Sequence, residues 1–133
     1  MSKTLLNNLK SLAAKPLSNA TAMPKEIYTS KEILDLEHEQ IFSKEWICVG
    51  RETEIPNAGD FFTFDLGDQP IIVLRDRLKK VKAISNVCLH RMMPIVEGKG
   101  NKKAFTCPYH AWTYNLDGDL VMAKFMDRTE CFD

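Results

Sequence analysis

Cys88-Leu89-His90-Arg91 and Cys107-Pro108-Tyr109-His110 each offer one thiol and one imidazole, separated by a loop-sized insert. They take up two of the chain's four cysteines and two of its three histidines. Thiolate and neutral imidazole are the side chains that bind borderline and soft metals best. A single buried cysteine is ordinary core material. Two Cys/His pairs, each at the end of a predicted strand and each close to a proline (Pro94 and Pro108), make a metal-ligand signature instead.

The pairing bears on which metal. A zinc site of two cysteines and two histidines usually groups like with like, as C-x₂₋₄-C and H-x₃₋₅-H. Here each pair is mixed. A mixed pair suits a two-iron cluster in which one iron takes both thiolates and its neighbour both imidazoles. One loop then reaches both irons with unlike ligands, and two such loops hold the cluster between them. This is the Rieske [2Fe–2S] arrangement, with two histidines replacing two cysteines on one iron. Neutral imidazole lowers the net negative charge, so the cluster accepts an electron more readily. The mixed order favours this reading over zinc.

These ligands need a scaffold. At 133 residues the chain suits one compact domain with a core that needs no disulfides. Eighteen basic residues balance eighteen acidic ones, which argues against wholesale binding to nucleic acid or anionic membrane. No apolar run approaches the roughly 20 residues of a membrane span. Thiols at ligand spacing point to a reducing, cytoplasmic setting.

Residues 1–27 read as an arm, small and polar, with Pro16 and Pro24 interrupting any helix. Its lysines and lack of acids before Glu26 resemble a transit peptide in composition, but it has no arginine, and a mobile or docked arm is the preferred reading. A lead-in follows over 28–45. Thr29 and Glu32 form a capping-box pattern, and Ile33, Leu34, Leu36 and Ile41 predict one helix over about 30–43. His38 on that helix, beside Glu37 and Glu39, reads as a solvated or capped surface histidine.

From Trp46 the texture is β. "EWICVGRE" is apolar and β-branched. "DFFTFDL" alternates Phe62, Phe64 and Leu66 with Thr63 and Asp65, while "PIIVLRD" reads as a strand covered on both faces. "KKVKAISNV" alternates lysine with Val81 and Ala83, and "AWTYNLDGDLVMA" is a hairpin turning at Asp117-Gly118. About six short strands predict a mainly β domain, a small antiparallel sandwich or barrel over 46–125. Residues 126–133 would begin a linker.

"CLHR…CPYHAWTYNLDG" resembles the cluster motif of the ring-hydroxylating oxygenase large (α) subunits, a family of Rieske non-haem iron oxygenases. "YTSKEILDLEHEQIFSKEWICVGRETEIPNAGDFFTFDLGDQPIIVLRD" is similar to the segment that precedes it there, so the resemblance runs over about 27–133. It implies a fold of Rieske type. It also implies that Cys88 and Cys107 bind one iron, His90 and His110 the other, and that Arg91 and Trp112 flank and cover the cluster. Met92, Ala111, Lys79 and Cys131 stand where the family usually has glycine. In the respiratory branch an extra cysteine in each loop forms a disulfide; those positions are Met93 and Tyr109 here. That branch's serine is Trp112 here, which removes a hydroxyl donor to cluster sulfur. The resemblance therefore implies a potential near the low end of about −150 to +300 mV.

In that family the subunit continues into a catalytic domain holding a mononuclear iron on two histidines and a carboxylate. Only His38 is left over here, so that iron is expected only in a further domain, and the chain reads as the N-terminal part of an oxygenase. The resemblance implies electron transfer from a ferredoxin or flavin reductase, then to the catalytic domain of a neighbouring α subunit in a trimer. Lys99, Lys102 and Lys103 with Arg91 form a basic rim, read first as a solvated loop and second as a docking patch for an acidic donor. A free-standing Rieske ferredoxin and a zinc-stabilised binding module are the alternatives. The arm and helix favour the oxygenase.

Overall fold

A computed structural model describes residues 3–130 and 132; Cys131 lies outside the described residues. The chain divides into two compact units, Met1–Ile47 and Cys48–Asp133.

The first unit is more helical than its composition suggests. Helix α1 spans Lys3–Ala13. Leu5, Leu9 and Leu12 recur at i, i+4 and i+7 and are half-buried, while Pro16 lies past the helix end and does not interrupt it. Pro16 thus follows this helix instead of breaking it, and the expectation of a helix-free arm is corrected. A short helix, α2 (Glu26–Thr29), precedes the predicted 30–43 span, which is itself two pieces: α3 (Lys31–Glu37) and a π-helical turn at His38–Phe42. The Ser43 amide donates to the His38 carbonyl at 3.0 Å, closing that turn. Thr29 does not cap α3. Its hydroxyl donates back to the Lys25 carbonyl at 3.3 Å, and Ser30 takes the N-cap position. His38 is half-buried, its ring 5.2 Å from that of Phe42, not simply solvated.

The second unit holds two antiparallel sheets. Strands β1 (Asp60–Leu66), β2 (Gln69–Arg75), β3 (Val81–Ser85) and β4 (Lys99–Asn101) form one, in the order β3-β2-β1-β4. Strands β5 (Phe105–Thr106), β6 (Thr113–Tyr114) and β7 (Leu120–Met122) form the other, in chain order. The mainly β fold of the sequence reading is the fold observed. In β2, Ile72, Val73 and Leu74 are buried in succession, as a strand covered on both faces requires.

Three strand expectations need correcting. "EWICVGRE" forms no strand; it pairs with no sheet edge, and Trp46 is fully exposed. In β1 the deeply buried side chain is Phe61, not Phe62, Phe64 or Leu66, because Phe61 faces Phe105 edge-on at 5.3 Å. In β3, Val81 and Ala83 face outward, while Lys82 and Ile84 turn toward the interior side.

The core joins both sheets through Phe61, Ile72, Leu74, Phe105, Tyr114 and Leu116, and it includes Cys88 and Cys107. Burying each large apolar side chain is worth roughly 1.5–3 kcal/mol, so this cluster is the main term holding the ligand loops to the frame. Arg75 adds a polar brace, donating to the carbonyls of Ile55, Lys79 (2.8 Å) and Glu52 (2.9 Å). Gly59 is constrained to be glycine: its φ is +88°, and a Cβ there would lie 2.5 Å from the Lys102 carbonyl oxygen.

Candidate metal centre

Two loops carry the four predicted ligands, and they close in the same way. In the first, the Cys88 amide donates to Met93 O at 2.9 Å and the Met92 amide to Cys88 O at 2.9 Å. In the second, the Cys107 amide donates to Trp112 O at 2.8 Å and the Ala111 amide to Cys107 O at 3.0 Å. The residue four after each cysteine is left-handed, Met92 at φ 55° and Ala111 at φ 61°. Lys79, at φ 61°, is also left-handed. These are three of the positions where the resemblance leads one to expect glycine, and the reason is now physical: glycine reaches that conformation without steric cost.

The base of the first loop is held by a residue the sequence reading missed. Asn86, buried, accepts the Ile95 and Val96 amides at 2.9 and 3.0 Å and donates to Val96 O at 2.7 Å. Val87 and Pro94 close the loop with an isolated bridge.

The four predicted ligands separate by type. Cys88 and Cys107 are 1% and 3% exposed and neighbour one another in the core. The His90 and His110 rings sit nearer the surface, half-buried, with centroids 4.6 Å apart and nearly edge-to-face. Among the described residues no group of three or more His, Cys, Asp or Glu side chains is placed to hold a single metal ion. A thiol pair beside an imidazole pair fits a cluster of two irons better than one tetrahedral zinc.

Electrostatics prepare one member of each pair. Burial pushes the Cys88 thiol up, but bonds from the Tyr114 hydroxyl, the His90 amide, the Cys107 thiol and the Arg91 amide outweigh it and favour thiolate. Burial, then the charges of His90 and Arg91, hold His110 below the usual histidine value, so its imidazole is neutral near pH 7 and able to bind metal. Its Nδ1 is buried without a hydrogen-bond partner. A buried imidazole nitrogen with no protein partner, inside a thiol–imidazole pocket, is placed as a metal ligand is placed. The residues fit the cluster.

Flanking aromatics interlock the loops. Trp112, 6% exposed, stacks on His90 at 4.9 Å and 12°. Tyr109 lies against His110 at 3.8 Å, and the Arg91 guanidinium sits 6.0 Å from the Tyr109 ring centre. Trp112 thus lies on the ring of one predicted ligand, and Arg91 follows that residue in the chain and faces Tyr109. Tyr114 was not singled out from the sequence. Its hydroxyl lies 3.5 Å from Cys88 Sγ and accepts the Leu89 amide at 2.9 Å. The signal was present in the alternation of Trp112, Tyr114 and Leu116, all three buried. His38, in the first unit, belongs to no such group. Cys48 is exposed and unpaired.

Two loops of this kind on a small antiparallel frame define a Rieske centre, and the chain belongs to the Rieske [2Fe-2S] domain family, which it matches over residues 45–133. Its relatives are oxygenase large subunits. It is 40% identical over 115 residues to the carnitine monooxygenase oxygenase subunit of Acinetobacter baumannii, covering 86% of this chain and 31% of that protein. The solved structure of naphthalene 1,2-dioxygenase from Rhodococcus sp. is similar with a TM-score of 0.81 and 31% identity, over 96% of this chain and 28% of that one. A quaternary ammonium Rieske monooxygenase, solved in a study of carnitine oxidation and inter-subunit electron transfer, is similar with a TM-score of 0.76 and 40% identity, over 83% of this chain and 30% of that one. The chain thus spans about a third of the length of these relatives. No helix among the described residues is long and apolar enough to cross a membrane.

Proposed function

We propose that this chain is the electron-accepting part of a Rieske oxygenase large subunit, with Cys88 and Cys107 on one iron and His90 and His110 on the other. The cluster, when bound, stores and releases single electrons. The protein's part is to present two cysteine sulfurs and two imidazoles, exclude water with Trp112, and keep the loops closed through Asn86 and Tyr114. The observation that carries this is the orphaned Nδ1 of His110, in a histidine pair edge-to-face beside a buried thiol pair.

In the complete protein the electron goes to a mononuclear iron in a further domain, of a neighbouring copy in a trimer, for O₂-dependent hydroxylation or demethylation. Inter-subunit transfer in the quaternary ammonium monooxygenase supports that route. The matched relatives act on a quaternary ammonium compound and on an aromatic hydrocarbon, so this domain alone does not select the substrate. The electron donor is a ferredoxin or flavin reductase, the setting is cytoplasmic, and neither nucleic acid nor membrane is a partner. The basic rim of Lys99, Lys102, Lys103 and Arg91, all exposed, suits an acidic donor.

The test is iron, zinc and acid-labile sulfide per chain after anaerobic purification or reconstitution, with a paramagnetic resonance spectrum of the reduced state. Two irons, two sulfides and a Rieske signal are expected. One zinc and no sulfide would overturn the reading.

A further inference from the structure

We infer that Lys82 is a positioning residue: by gripping Asp117 at the tip of the β6–β7 hairpin, it fixes where the Tyr114 hydroxyl meets the Cys88 sulfur. This rests on the cluster assignment proposed above.

The hairpin cannot fix itself. Its strands are two and three residues long, with a register shift between Thr113 and Tyr114, and so short a pair is marginal alone. Packing does not fully fix it either. A cavity of about 290 Å³ opens beside it, lined by Ile72, Ile84, Leu89, Phe105, Tyr114 and Gly118. Tyr114 thus borders empty space on one side, where close-packed neighbours would otherwise hold a ring in place. On another side its hydroxyl meets Cys88 Sγ and the Leu89 amide.

Tyr114 and Leu116 join the hairpin's base to the larger sheet through the core, but what ties its exposed tip to that sheet is polar. Asn115 shapes the turn, its Oδ1 accepting the amides of Asp117 and Asp119 at 2.8 and 2.9 Å. Asp117 then meets the Lys82 ammonium, which turns inward from β3. Lys82 is anchored at 3.2 Å by Asp76, a carboxylate 4% exposed that also accepts the Leu78 and Lys80 amides at 2.8 Å each. An exposed ion pair is worth little by itself. This one is backed by a buried, fully bonded carboxylate, and it restrains the exposed tip of a hairpin whose base is held by the core and by β5. The path runs from Asp76 through Lys82 and Asp117, back along three residues to Tyr114, and so to the sulfur.

Charge and position predict opposite signs, which makes the idea testable. Removing the Asp117 carboxylate raises the cluster potential if only its field matters, since a negative charge opposes electron uptake. If Asp117 positions Tyr114, its removal weakens the hydroxyl bond to sulfur and lowers the potential. The experiment is the midpoint potential of the full chain carrying Asp117→Asn, alone and in the Tyr114→Phe background, with iron and sulfide counted in every variant. Asp117 is more than half exposed in a turn, so this substitution spares the core. The expected result is a fall in the first case and no fall in the second. A rise, no change, or the same fall in both backgrounds would overturn the proposal. Lys82→Met is the second variant; an equal fall with and without Tyr114→Phe would overturn it as well. A wild-type chain without two irons and two sulfides removes the cluster assignment and this proposal together.

Discussion

The sulfur of Cys88 is solvated by donors in place of water: the amides of His90 and Arg91 and the hydroxyl of Tyr114. Donors to a cluster ligand favour the reduced state, which carries one more negative charge, and so raise the potential. Tyr114 remains a donor throughout the physiological range, because burial and then the Cys88 thiolate push its hydroxyl up to about 12. Tyr114→Phe should therefore lower the midpoint potential by on the order of 40 mV, taking about 1 kcal/mol of differential bonding at roughly 59 mV per tenfold for one electron. Redox titration of the reconstituted chain would measure it; an unchanged potential would mean the hydroxyl serves Leu89 alone. Trp112 offers no hydroxyl, but the sulfur is not left without one. At this scale the proposed ligands are legible from the sequence because their types and spacing carry the chemistry by themselves. Tyr114 and Asn86 are not, since their roles depend on partners at sequence distances of 25–26 and 9–10 residues that only the fold brings near.

Both ligand loops turn through a left-handed residue that carries a side chain. For Ala111, glycine would relieve a conformational cost of roughly 1–2 kcal/mol while adding about 0.4–1 kcal/mol of chain entropy to the unfolded state. Ala111→Gly should therefore leave the stability read by urea unfolding unchanged or raise it, by up to about 1.6 kcal/mol; a clear loss would show that the methyl group packs. The β2–β3 turn gives a prediction in pH. The Lys80 amide, with help from Lys82 and the Leu78 amide and against burial, holds the Asp76 carboxyl below its ordinary 3.8. A depressed carboxyl stabilises the fold above its unfolded value and loses that contribution as pH falls through the lower folded value. Wild-type stability should decline below about pH 4, and Asp76→Asn should be less stable at neutral pH with a flatter acid limb, as read by urea unfolding against pH. Strands β1 and β2 are legible because apolar pattern and β-branching coincide there. Residues 46–51 carry the same composition but form no strand, and β3 turns its lysine inward because Asp76 and Asp117 wait there. Helix α1 is hidden by reading its prolines as interruptions when Pro16 lies beyond its end.

The molecule as a whole is neutral, so attraction between it and a donor must be local. Reversing Lys99, Lys102 and Lys103 to glutamate should slow reduction by an acidic donor several-fold at low salt, with the difference fading as ionic strength shortens the screening length. Equal rates at low salt would assign those lysines to solvation alone. The two sheets also differ in how firmly they are made. The first pairs seven-residue strands along their length, while the second, between and beyond the ligands, has strands of two or three residues. Local opening costs least where regular pairing is thinnest. The amide protons of β1 and β2 and those of the ligand loops should accordingly exchange on separate clocks, and a freshly made chain can part its loops to take in iron and sulfide while its frame stays shut.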